Sequence, residues 1–158
     1  MKKTLVLGLG NPLLTDDGVG LRVVRELRSR LSGRPDVVVE EDYWGGLRLM
    51  ERMVGFDRSI VIDAVCGGDT PGTVHCLHVR DMPTQHTASA HDATLSTALR
   101  FGHRVGAVLP DPDDVLVVAV EAADVTSFGE ECTPLVDAAI PRAVETVLRE
   151  LGPRGAER

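Results

Sequence analysis

Asp16 and Asp17 stand inside the glycine-rich run GLGNPLLTDDGVG at residues 8–20, and Asp63 follows the apolar stretch SIVI directly. Glu121 closes DVLVVAVE, Asn11 lies in the first glycine loop, and His91 sits where a polar loop gives way to a helical pattern. A carboxylate set beside an apolar run is costly unless something pairs with it or uses it. Two carboxylates and one imidazole drawn from three separate loops make an oxygen, oxygen, nitrogen donor set with coordination positions left open. Such a set suits a first-row divalent ion such as nickel or zinc. At a helix N-terminus the dipole disfavours an imidazolium, so His91 is expected to stay neutral and able to bind a metal. His75 and His78, three apart on one strand, point to opposite faces and read as structural.

Asp16 and Asp17 also have a plain reading, since acids in a first helical turn offset the helix dipole. One acid suffices for that, whereas Gly18 and Gly20 each cost about 1 kcal/mol relative to alanine in a helix. Close approach of another backbone or of a substrate would require them. HExxH and GxSxG are absent, and no cysteine is paired in sequence context with a base.

The elements that must position these residues follow from periodicity. Thr4–Leu9 reads as a buried strand, and Val19, Val23, Val24, Leu27 and Leu31 follow at helical spacing. Residues 36–40 and 58–65 are further strands, with a short helix from Leu47 ending at Gly55 between them. Residues 72–79 form a fourth strand, antiparallel to its predecessor because the link is so short, as a hairpin or an edge strand. Residues 82–90 read as a loop, His91 or Asp92 opens a helix stopped by Gly102, and residues 114–121 are the fifth strand. Thr133 caps a last helix that starts at Pro134 and is kinked at Pro141. The expected fold is a three-layer α/β/α sandwich around a five-stranded, mostly parallel twisted sheet with one antiparallel strand. It forms one domain over residues 1–151, followed by a frayed tail at 152–158. In such sheets ligands bind outside the carboxyl ends of the strands, where Asn11, Asp16, Asp17, Asp63 and Glu121 fall.

Composition narrows the function. A net charge of −7 and an aromatic content of 3% argue against a nucleic-acid partner. Three cysteines without CxxC spacing support neither a disulfide framework nor a four-thiolate zinc site, and suggest a reducing cytoplasm. The N-terminal apolar run is broken by Gly8, Gly10 and Pro12 before it reaches the roughly 7–15 residues of a signal peptide. No apolar run approaches the roughly 20 residues of a membrane span. The partial GxGxxG fingerprint lacks its third glycine, since position 13 is Leu13.

With these residues in hand, the chain resembles the hydrogenase maturation endopeptidases, which remove a C-terminal extension from the large-subunit precursor of nickel-iron hydrogenases. GLGNPLLTDDGVG matches the family's opening motif; VIDAV around Asp63, SAHDATL around His91 and FGEECTPLVDAAI from Phe128 follow in the expected order. The resemblance implies metal binding by Asp17, Asp63 and His91, with nickel supplied by the precursor and zinc or another divalent ion able to replace it in vitro. The mechanism expected on chemical grounds is metal-assisted hydrolysis, the ion polarising the scissile carbonyl or lowering the pKa of a bound water, with Asp16 assigned to orient that water or a neighbouring group. Three departures stand out. Asp17 occupies a position where some members carry the longer glutamate, Ala90 replaces a frequent proline, and DYWGG differs from the family's glycine-rich loop. The last two bear on which precursor is accepted, and Tyr43 and Trp44 are candidate docking anchors. The expected partner is the hydrogenase large-subunit precursor, met by a monomeric enzyme. A nickel-sensing chaperone that does not cut would use the same three residues. A peptidyl-tRNA hydrolase, which also opens on GLGNP, calls for a basic surface and an early histidine, and no histidine precedes His75.

Overall fold

A computed structural model describes residues 1–45, 47–81 and 90–153; for residues 90–94 it describes the backbone alone. Five strands, β1 (Thr4–Leu9), β2 (Val37–Asp42), β3 (Arg58–Val65), β4 (Val74–His78) and β5 (Val115–Glu121), form one sheet in the order β2-β1-β3-β5-β4. All neighbours are parallel except β4, which runs antiparallel to β5. The helices are α1 (Val19–Leu31), α2 (Leu47–Arg52), α3 (Ala90–Arg104) and α4 (Pro134–Leu151).

Alternation along the buried strands sorts their side chains onto two apolar layers. Val6, Ile60, Ile62, Val118 and Val120 pack with α1 and α4 through Val23, Leu27, Ile140 and Val144. Leu5, Leu7, Val61, Val117 and Ala119 pack with α2 and α3 through Leu49, Met50, Leu95 and Leu99. The expected α/β/α sandwich is therefore what the chain forms.

Of the two arrangements expected for β4, a hairpin with β3 or an edge strand, the chain forms the edge strand, because β5 lies between β3 and β4. The loop at 66–73 arches over the carboxyl end of β5, where Gly72 N donates to Glu121 O and Glu121 N to Thr73 O, both at 2.8 Å. Gly102 does not stop α3, which continues to Arg104. Its missing side chain instead makes room for its neighbours, since a Cβ there would lie 2.4 Å from Leu109 Cδ1 and 3.0 Å from Met50 Sδ. The stop falls at Gly106, whose φ of 84° suits glycine. Thr133 is the residue before α4, yet its side chain makes no cap; Asp16 takes it instead. Helix α4 continues through Pro141. The loop expected at 82–90 lies outside the described residues, apart from Ala90, which opens α3. Of the expected tail, Gly152 is tied down: its N–H reaches Leu148 O and Arg149 O, and its carbonyl accepts Arg34 Nη1 at 2.8 Å.

Candidate active site

The loop joining β1 to α1 is drawn tightly over the end of the sheet. A Cβ on Gly20 would sit 2.2 Å from Ile62 O and 2.7 Å from Leu9 O, so only glycine lets α1 ride this close to β1 and β3. Gly10, at φ 152°, meets Asp17 O at 2.0 Å in the same test. Backbone contact thus accounts for Gly20, in line with the close-approach reading. Between them, Thr15–Gly18 forms one 3-10 turn that places Asp16 and Asp17 back to back.

The two aspartates have different surroundings. Asp16 is fully buried. Its carboxylate accepts Ala123 N (2.9 Å), Asp124 N (3.0 Å), Thr133 N (2.7 Å) and the Thr133 hydroxyl (2.8 Å). Its own N–H reaches Asp124 O, Thr15 N reaches Gly129 O, and the Thr15 hydroxyl donates to Ser127 O. The β1–α1 loop is therefore latched to the β5–α4 connection. Asp17, half-buried, folds back over the end of β1, where its Oδ2 accepts Asn11 N at 2.8 Å; Asn11 Oδ1 in turn accepts Leu13 N at 3.0 Å.

Asp63 is buried, with Oδ1 accepting Ala64 N at 2.8 Å. Register puts it one residue beyond the last β1–β3 pair, Gly8 with Ile62, and opposite Ala119 of β5. It shares the parity of Val61, so it faces the α2–α3 layer. Helix α3 belongs to that layer. Its last turn lies at the amino edge of the sheet, since His103 Nε2 is 3.1 Å from Pro110 O on the approach to β5. A helix of 15 residues rises roughly 22 Å, so its first turn, which includes position 91, lies toward the carboxyl edge. The His91 side chain is outside the described residues. The structure thus gathers the Asp17 loop, Asp63 and the start of α3 at one edge.

Glu121, also buried, stands at that edge with Oε1 accepting Gly67 N (2.7 Å) and Gly68 N (2.8 Å). His75, on the same side of the sheet because it pairs with Ala119, lies beside it, and so does Asp69. Sequence reasoning set His75 aside and gave Asp69 no role. Glu121 was the available signal, as a strand-end carboxylate without an assigned task. The thiol of Cys66 is pushed up by burial first and then by the charges of Glu121, Asp17 and Asp16, which makes it a poor nucleophile near neutral pH.

An open, mainly parallel sheet with acidic loops and a helix start collected at its carboxyl edge is the layout of an α/β enzyme that works at that edge. The chain belongs to the hydrogenase maturation protease family, whose sequence profile matches residues 21–150. It is 32% identical to the hydrogenase 2 maturation protease of Escherichia coli K12 over 98% of this chain and 94% of that one. It is 30% identical to the hydrogenase expression/formation protein HupD of Rhizobium leguminosarum bv. viciae, over 94% of this chain and 74% of that one. The solved structure of the hydrogenase maturating endopeptidase HybD from E. coli superposes with a TM-score of 0.76 at 28% identity, covering 94% of this chain and 91% of that chain. The protein is accordingly a hydrolase, an endopeptidase of hydrogenase maturation.

Proposed function

We propose that this endopeptidase removes the C-terminal extension of a nickel-iron hydrogenase large-subunit precursor after nickel insertion, and that Asp17, Asp63 and His91 engage the precursor's nickel. The observation that carries this reading is the convergence at the carboxyl edge. Asp17 is held in place by Asn11 N, Asp63 is buried on the face covered by α3, and position 91 lies in that helix's first turn. One imidazole and two carboxylates leave positions open for the precursor's own ligands. Nickel so held supplies Lewis-acid assistance to attack on the peptide carbonyl. Asp16 has its carboxylate filled by four donors, so it serves as a positioning residue that sets the Asp17 loop against β5 and does not orient the attacking water.

The surface at this edge fits a protein substrate. Leu13, Tyr43, Trp44 and Phe128, all on loops leaving the carboxyl ends of strands, are exposed. Asp42 holds the Tyr43–Trp44 backbone by accepting both N–H groups and binding Arg52 Nε at 3.0 Å, so the turn that carries the two exposed rings is tied to the end of β2. Exposed aromatic side chains on fixed loops are suited to anchor a protein partner. Among the described residues no helix is long and apolar enough to cross a membrane. The reading places the enzyme in the cytoplasm as a monomer.

The test is to incubate the protein with nickel-loaded and nickel-free precursor and follow the precursor mass. Loss of a C-terminal peptide from the loaded form alone, abolished by Asp63→Ala or His91→Ala, is the expected result. Nickel-dependent binding without any change of mass would replace the protease step by a chaperone role and overturn the reading.

A further inference from the structure

We infer that Asp69, His75 and Glu121 form a second divalent-cation site, separate from the Asp17, Asp63 and His91 set and suited to zinc. Donor atoms of the three residues all lie within 4.8 Å of one another. His75 Nε2 is 3.1 Å from Asp69 Oδ2 and 3.8 Å from Glu121 Oε2. Zinc bonds to nitrogen and oxygen of roughly 2.0–2.2 Å in a tetrahedron put neighbouring ligands roughly 3.3–3.6 Å apart, so the three side chains need little movement to share one ion.

Proximity alone would describe an acidic cluster around a histidine; Glu121 adds an independent observation. Its side chain is 2% exposed. Oε1 is satisfied by two backbone N–H groups of the 66–73 loop, yet Oε2, buried and turned toward His75, has no hydrogen-bond partner among the described residues. A buried carboxylate oxygen without a donor is costly, and a cation would supply the missing partner. The fold explains how the ligands meet. The antiparallel pairing of β4 sets His75 opposite Ala119, two residues before Glu121 and on its face, while the arching loop returns Asp69 to the same spot. One nitrogen and two oxygens leave a fourth position open to water, and the ion would tie the 66–73 loop to β4 and β5 at the rim of the active edge.

The experiment loads the full chain, stripped by chelator, with zinc and reads stoichiometry by native mass spectrometry and affinity by competition with a chromophoric chelator. His91→Ala serves as the background, since it disables the other proposed ligand set. The expected result is one zinc retained by His91→Ala, with affinity falling at least tenfold on adding Asp69→Asn and at least a hundredfold on adding His75→Gln. Circular dichroism establishes that each variant is folded, and Glu121→Gln, close in shape, provides a second route to the same loss. Absence of zinc from His91→Ala, or equal retention when His75 or Asp69 is replaced, would overturn the site and leave a histidine lying between two carboxylates. Neither result depends on precursor cleavage, so failure here is distinguishable from failure of the endopeptidase assay.

Discussion

Two buried carboxylates, Asp16 and Glu121, stand at the same edge of one sheet and differ in how their oxygens are used. Asp16 takes donors at both oxygens from the β5–α4 connection, whereas Glu121 has one oxygen held by the 66–73 loop and the other without a donor among the described residues. A filled carboxylate is a structural fastener, because releasing it would strand three N–H groups of the partly buried 123–133 loop at once. A half-filled one keeps binding capacity in reserve. The lesson for acidic residues at strand ends is that burial does not identify a ligand; the count of donors already committed does.

The largest effect that sharpens this contrast is on the Asp16 side. Asp16→Ala removes the acceptor of three backbone N–H groups and one hydroxyl, all partly buried, and should cost about 2–4 kcal/mol in denaturant unfolding, since a hydrogen bond to a charged group contributes about 1.5–3 kcal/mol and water recovers part of the loss. A loss below about 1 kcal/mol would refute the fastener role. Next comes Gly20→Ala, whose new methyl would collide with the Ile62 and Leu9 carbonyls. It should destabilise by about 3 kcal/mol, at the upper end of overpacking costs, and a neutral outcome would contradict the close approach of α1. Glu121→Gln in metal-free protein should change stability by less than about 1 kcal/mol, because Oε1 keeps its donors and the amide can donate toward Asp69 or His75. A cost equal to that of Asp16→Ala would erase the distinction between the two residues.

The smallest effect concerns Asp124, whose backbone the Asp16 carboxylate holds. The N–H of Ser127 first, then its hydroxyl and the N–H of Thr126, lower the Asp124 carboxyl from 3.8 to about 2. A depressed folded-state value means that its contribution is present above pH 3.8 and lost as pH falls through about 2. A carboxyl titration followed by NMR should show that midpoint, and Asp124→Asn should flatten the acid limb of the stability profile slightly. A midpoint at the ordinary value would mean that the 124–127 turn is open in solution.

Much of this was legible in the chain. Continuous apolar runs such as SIVI and LVVAV announce buried parallel strands, and α1 declares itself by the spacing of Val19, Val23, Leu27 and Leu31. The strand-end rule points to Asn11, Asp16, Asp17, Asp63 and Glu121 alike. The division of labour between Asp16 and Asp17 was not legible, because their spacing is identical in kind and the donors that fill Asp16 come from residues 123–133. Gly102 misled for a similar reason: its neighbours Met50 and Leu109 are brought to it by packing.

The sequence by itself determined the order of strands and helices, the acidic loops at the strand ends and the likeness to maturation endopeptidases, since these depend on local periodicity and short motifs. Only the tertiary structure decided that β5 enters between β3 and β4, that Asp16 is a fastener, and that Asp69 and His75 meet Glu121. The physical reason is that strand insertion and hydrogen-bond occupancy depend on groups far apart along the chain, which no local pattern encodes.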